Sequence, residues 1–284
     1  MERHTLTSDL DPAKAGSGLN AVPALLMLPG MLCNEQSWLA QQQALAPLLH
    51  SEVVRYPLSR CRSLTDMAAH VLEAAPSSFL LAGHSMGGRV ALEILRLAPE
   101  RVAGLCLIGT EHLPNPGGER GQQETAGRLA LLETARRAGM RAMAEAWLPN
   151  LLPEARRQDA SLVEAITQMM ADHSAEQLQA YIEAGASRPD STTLLSAITV
   201  PTLLIGGKQD RIRPLAILED LHRLVSGSTL LAIDGCGHMP MMEYPEPVNA
   251  AMREWVLRCL ADNPSDPPAA SGRPIRNASS TLSS

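Results

Sequence analysis

The pentapeptide Gly83-His84-Ser85-Met86-Gly87 sets a hydroxyl between two glycines in the pattern G-x-S-x-G. That spacing suits a serine nucleophile. A serine hydroxyl is weak at neutral pH and needs a neighbouring base to take its proton. A strained turn between a strand and a helix exposes the oxygen. Glycines two residues to either side remove the Cβ atoms that such a turn would crowd. The flanks fit. Ser78 to Ala82 is a short apolar run bounded by Pro76 and Gly83, which predicts a buried parallel strand. From Arg89 onward, Val90, Leu92, Ile94, Leu95 and Leu97 fall mostly at helical spacing. The pentapeptide alone recurs by chance, and an idle serine in a glycine-rich turn is the competing reading. The strand before it and the helix after it give the motif its weight.

The elements around this turn repeat one pattern. Ala24 to Leu28 predicts a strand ending at Pro29-Gly30-Met31, and Asn34 to Leu49 a helix with Trp38, Leu39, Leu45, Leu48 and Leu49 as its apolar face. Glu52 to Tyr56 predicts a second strand. Ser63-Leu64-Thr65-Asp66 resembles a capping box opening a helix to about Ala75. Val102 to Ile108, Thr202 to Gly206 and Thr229 to Ile233 predict further strands, with helices over about Pro214 to Val225 and Pro247 to Leu260. In the last helix Val248, Met252, Trp255, Val256 and Leu260 are expected to face inward. Strands alternating with helices imply an α/β fold with a doubly wound, mostly parallel sheet. Ligands of such sheets sit at the carboxyl ends of the strands. The Pro29-Gly30 turn, Ser85, Glu111, Asp210 and Gly235 to His238 all follow predicted strands, so they are expected at one edge.

The alternation stops between residues 114 and 190. That stretch predicts several helices broken by Gly139, Pro149 and Pro153, long enough for a helical cap inserted between halves of the core at 22–113 and 191–260. Residues 1–21 read as a flexible leader, with a short strand near Thr5-Leu6-Thr7, and the Pro/Ser/Ala-rich 261–284 as a disordered tail.

Composition narrows the function classes. A formal charge of −6 argues against nucleic acid as a partner. With aromatics at 2% and 13 Met, pockets should be lined by Leu and Met, which suits flexible acyl chains. The five scattered cysteines, Cys33, Cys61, Cys106, Cys236 and Cys259, make no C-x-x-C, so neither a disulfide framework nor a zinc site is expected. The first twenty residues carry no apolar signal-peptide core, and no apolar run reaches membrane-spanning length. A cytoplasmic protein with no membrane partner is the expectation.

Four ordered motifs resemble the α/β-hydrolase family over about residues 22 to 260: Leu28-Pro29-Gly30-Met31, the Ser85 pentapeptide with Gly88, Ile205-Gly206-Gly207-Lys208-Gln209-Asp210-Arg211-Ile212-Arg213-Pro214, and Gly235-Cys236-Gly237-His238-Met239-Pro240 followed by Glu243-Tyr244-Pro245-Glu246. The order Ser, Asp, His is the one that family uses. The resemblance implies that His238 takes the Ser85 proton and returns it to the leaving group, while Asp210 holds the imidazole tautomer. It also implies an oxyanion hole from the backbone N–H groups of Met31 and Met86. Glu111 is the alternative acid. Two departures stand out. Pro29-Gly30 replaces the His-Gly of many relatives, and in the polar, irregular leader no counterpart to their opening β-hairpin is assigned.

The expected activity is a serine hydrolase of a carboxylic ester, lactone or thioester with a small or medium acyl group, without cofactor or metal. A C–C bond hydrolase or enol-lactonase, and a ligand-binding protein without turnover, are the alternatives. Oligomeric state is left open. His84 is expected to point away from the nucleophile and pack. His4, His50, His70, His112, His173 and His222 lack metal-ligand spacing, and Cys236 reads as packing. Arg120, Arg128, Arg136, Arg137, Arg141, Arg156 and Arg157 could dock an acidic carrier or an anionic substrate, but acidic residues interleave with them and they read first as solvated helix faces. Arg188 has two readings, a contact to a substrate carboxylate or a structural salt bridge. Met140, Met143, Trp147, Leu148, Met169 and Met170 read as core first and pocket lining second.

Overall fold

Short apolar runs without polar alternation become strands buried on both faces. The computed structural model describes residues 22–186 and 188–262. In chain order the elements are β1 (Ala24–Leu28), α1 (Leu39–Leu45), β2 (Ser51–Val53), α2 (Leu64–Ala74), β3 (Phe79–His84), α3 (Met86–Leu97) and β4 (Val102–Ile108). Four helices follow, α4 (Gly118–Ala138), α5 (Met140–Leu151), α6 (Ala160–Ala171) and α7 (Ala175–Ala186), then the short α8 (Thr192–Leu195). The chain returns through β5 (Thr202–Gly207), α9 (Leu215–Leu224), β6 (Thr229–Ile233), the single turn α10 (Pro240–Glu243) and α11 (Pro245–Asp262).

The strands form one sheet in the order β2-β1-β3-β4-β5-β6, with every pairing parallel. Alternate strand residues feed two cores. Leu26, Leu81, Leu105 and Leu204 face one side with Met67 of α2, Val90 of α3 and Leu218 of α9. Leu25, Leu80, Cys106 and Leu203 face the other with Leu45 of α1 and Met252 and Trp255 of α11. This is the expected doubly wound arrangement. Each buried leucine contributes about 1.5–3 kcal/mol relative to exposure.

Register positions the chemistry. Leu28 pairs with Gly83, His84 with Ile108, Ile108 with Ile205, and Gly207 with Ile233. The carboxyl ends therefore line up, and the loops carrying Gly30, Ser85, Glu111, Asp210 and His238 leave one edge. β1 lies between β2 and β3, so the winding direction reverses beside it. Ligands of open α/β sheets bind at such a switch point.

Several expectations change in detail. The first helix is a 3-10 turn at Glu35–Trp38 followed by α1. The tighter turn shifts the helical phase, so Leu39 faces out at 53% exposure instead of inward. Pro47, without an N–H to extend the ladder, follows its end. β2 runs from Ser51 to Val53, short of Tyr56; Val54 makes the last rung to the Met27 carbonyl, and Pro57 follows. Gly139 does separate α4 from α5, but Pro149 lies inside α5. It falls in the last turn, where buried Trp147, Leu148 and Leu151 hold the helix past the proline. In α11, Cys259 is buried and Leu260 only half-buried. Ala261 and Asp262 close that helix instead of opening a tail. The leader over 1–21 with its expected strand, and the tail from 263, lie outside the described residues.

Candidate active site

Ser85 sits between β3 and α3 at φ 51° and ψ −111°, backbone values that a non-glycine residue rarely adopts. Neighbouring contacts hold it there. Its N–H donates to the Ile108 carbonyl at 2.8 Å, and Thr110 Oγ1 donates to its carbonyl at 2.7 Å. Both glycines of the pentapeptide are needed sterically. A Cβ on Gly83 would lie 2.5 Å from the Gly87 carbonyl oxygen, and one on Gly87 2.1 Å from that of Leu28.

The sheet edge then brings three side chains together. His238 Nε2 lies 2.9 Å from Ser85 Oγ, and its Nδ1 lies 2.7 Å from Asp210 Oδ2. Asp210 is turned by its own loop, since Oδ1 accepts from the amides of Ile212 and Arg213, each at 2.8 Å. Burial alone would raise the Asp210 carboxyl, but the His238 charge and hydrogen bond, with those amides, hold it below the ordinary aspartate range. An ionised Asp210 can only accept, so the proton of a neutral His238 belongs on Nδ1. That leaves the Nε2 lone pair for the Ser85 hydroxyl. The His238 amide donates to the Leu151 carbonyl at 2.8 Å, which ties the loop to the end of α5.

Met31 and Met86 line the same chamber as Ser85 and His238. Neither backbone N–H donates to another described residue. The turn carrying Met31 includes Leu32 at φ 59°.

Glu111, the alternative acid, is engaged elsewhere. It is buried against Arg89, with Arg213 at 3.0 Å and Arg188 at 3.5 Å. His84 is buried and packs, as expected. Its ring packs on that of His238 with centroids 5.0 Å apart, and its Nε2–H donates to the His238 carbonyl at 2.8 Å. It also fills space beside Gly30, where a Cβ would lie 2.8 Å from its Nδ1. Burial, then the neighbouring His238, lowers its pKa to about 3. Cys236 is a packing residue, with burial and then Glu243 raising its thiol pKa. His173 Nδ1 meets the Met169 carbonyl at 3.0 Å, and His222 Nδ1 meets Ser228 Oγ at 2.8 Å. No group of three His, Cys, Asp or Glu among the described residues is placed to hold a metal ion.

The sequence alone assigns Glu243 no role, although it stands in the motif that carries His238. Its Oε2 accepts from Gly237 N–H at 2.8 Å and its Oε1 from Met239 N–H at 2.9 Å. The signal was its place five residues after the histidine, in a short turn opened by Pro240. Among the arginines of 114–190, Arg136, Arg137 and Arg141 are exposed as expected, but Arg128 turns inward over the Trp147 ring. Arg188 forks onto Glu124 at 3.0 and 2.8 Å, which bears out the salt-bridge reading. No described helix is long and apolar enough to cross a membrane.

Comparison with known proteins agrees with this architecture. Residues 25–251 match the model of the "Alpha/beta hydrolase family". A pimeloyl-[acyl-carrier protein] methyl ester esterase of Pectobacterium carotovorum is 30% identical over 237 residues, 78% of this chain and 89% of the relative. The same-named protein of Neisseria meningitidis serogroup B is 29% identical over 182 residues, 64% of this chain and 69% of its own. A thermophilic esterase from Thermogutta terrifontis, solved with malate bound, superimposes with a TM-score of 0.72 at 29% identity, covering 84% of this chain and 91% of that one. The chain belongs to the α/β-hydrolase family.

Proposed function

We propose that the protein hydrolyses a carboxylic ester of a small or medium acyl group through an acyl-enzyme on Ser85. As His238 Nε2 takes the Ser85 proton, Oγ adds to the ester carbonyl. The tetrahedral oxyanion accepts from the N–H groups of Met31 and Met86. Collapse expels the alcohol, which leaves with the proton returned by His238, and a water activated in the same way releases the acid. Asp210 stabilises the imidazolium at each stage. Residues 114–190 act as a cap whose Trp147 and Met170 help line the chamber.

The observation that carries this reading is the continuous relay of 2.9 Å and 2.7 Å from Ser85 through His238 to Asp210. The relatives named as esterases support the ester as the bond cleaved. The test is intact mass after incubation with a fluorophosphonate, beside Ser85→Ala, followed by a substrate panel. A single adduct on the wild type alone, with turnover of simple esters, is the expected result. Preference for diketones or enol-lactones would move the reaction to those bonds. Tight ligand binding without turnover would make this a binding protein on the same scaffold.

A further inference from the structure

The chamber wall beside Ser85 holds more cations than anions. Arg89, Arg128, Arg188 and Arg213 line it together with Glu124, and Glu111 is the second carboxylate of the cluster. Glu111 is shared among Arg89, Arg188 and Arg213. Glu124 is committed to Arg188. Arg128 has no ion pair among the described residues and rests 5.3 Å from the centre of the Trp147 ring. The buried Arg213 Nε has no hydrogen-bond partner there either. Arg128 is half-buried, and a guanidinium there with no carboxylate partner adds nothing to a purely structural network. Burial, with repulsion from neighbouring guanidiniums, holds Arg128 and Arg213 at about 10.

The same residues form a partition. Glu124, Arg128, Trp147, Arg188, Ile212 and Arg213 line both the Ser85 chamber and a second, adjoining cavity that carries the exposed Arg120 and Arg211. Charged groups of one sign in a low-dielectric cleft draw in an anion. A guanidinium fork matches a carboxylate with two parallel hydrogen bonds.

We propose that this arginine partition is a carboxylate site of the substrate, which carries a free carboxylate besides the ester, and that Glu124 holds the site's place until the substrate exchanges with it. The inference rests on the esterase reading above and deepens it. Glu124 suits the exchange. Its side chain keeps 28% exposure, so it can swing to water as the incoming carboxylate takes Arg188 and Arg128. Burial would raise its carboxyl, but the Arg188 fork and the charges of Arg213 and Arg89 bring it down to about 2, so a carboxylate is the stable occupant.

The experiment compares kcat/KM for monomethyl dicarboxylates, from succinate to suberate, with the methyl esters of matching monocarboxylic acids. Acetoxy carboxylates beside neutral acetates test a charge on the alcohol side. One charge-assisted hydrogen bond, at about 1.5–3 kcal/mol, corresponds to a preference of about 10- to 100-fold for at least one anionic ester. Arg128→Gln should shrink that preference about tenfold. Glu124→Gln should lower KM for the anionic ester several-fold, roughly the effect of one freed ion pair. Arg137→Gln, on an exposed face, is the control for charge lost elsewhere. Neutral esters preferred at every length, or Arg128→Gln lowering both classes equally, would overturn the proposal. Calorimetry of free dicarboxylates on Ser85→Ala separates the two readings. Binding that Arg128→Gln weakens, in a protein that no fluorophosphonate labels, keeps the anion site and removes the esterase.

Discussion

Glu243 clasps the backbone on both sides of His238, with one carboxylate oxygen on the Gly237 amide and the other on the Met239 amide. Burial drives this carboxyl above the ordinary glutamate range, and the two amides oppose that rise. Its place is therefore set by hydrogen bonding, at a cost in desolvation. Glu243→Gln keeps the shape but offers one acceptor and turns an NH2 toward an N–H. Unfolding in urea should show a loss of about 2 kcal/mol, the scale of an unmatched buried donor. With the imidazole less firmly aimed, kcat should fall about tenfold while KM changes little. An unchanged kcat in folded protein would reduce Glu243 to a purely structural residue.

The Asp210 contact predicts a different signature. Asp210→Asn preserves size, and the new amide can donate to His238 Nδ1. That favours the tautomer with the proton on Nε2, which then cannot accept from Ser85. Ester turnover should fall about 10⁴-fold with the protein still folded. Glu111→Gln, removed from the histidine by its arginine contacts, should not reproduce that tautomer effect in the histidine NMR spectrum. Matching tautomer shifts in both variants would return Glu111 to candidacy as the acid.

Much of this arrangement was legible in the sequence because parallel strands convert order into position. Leu26, Leu81, Leu107 and Leu204 belong to apolar runs, and the reactive groups come directly after such runs, so a parallel sheet delivers them to one edge. Contacts made across the fold were not legible. His84 and His238 are 154 residues apart, and no periodicity says that one imidazole donates to the other's carbonyl. Arg128 stands in a polar helix with few buried positions, and only the placement of Trp147 turns it inward. The phase of Leu39 was lost because a 3-10 turn precedes α1.

Gly87 is predicted to be intolerant of alanine. The added Cβ would lie 2.1 Å from the Leu28 carbonyl oxygen, which belongs to backbone that cannot swing aside. Gly87→Ala should cost about 3 kcal/mol, the upper range for overpacking. Fluorophosphonate labelling of Ser85 should slow in whatever folded protein remains, because the turn between β3 and α3 must open. The same substitution at Gly127, where a Cβ meets nothing within 4 Å, is the matched control. Equal stability of the two variants would contradict the steric argument.

His84 predicts how stability depends on pH. Its folded pKa is depressed from the ordinary 6.5 to about 3 by burial and then by His238. Above 6.5 both folded and unfolded chains hold it neutral, and it contributes no slope. As pH falls below 6.5 the unfolded chain takes up a proton that the folded chain refuses until about 3, so stability declines across that window. Between pH 7.5 and 5.0 the loss from this one group should be about 2 kcal/mol. His84→Gln retains an N–H to donate to the His238 carbonyl but cannot titrate. Urea midpoints for both proteins over that range isolate the histidine, because carboxylate contributions cancel in the difference. The wild type should lose about 2 kcal/mol more than the variant. Parallel curves would mean that His84 is protonated in the folded state, and the Nε2 donor would then belong to an imidazolium.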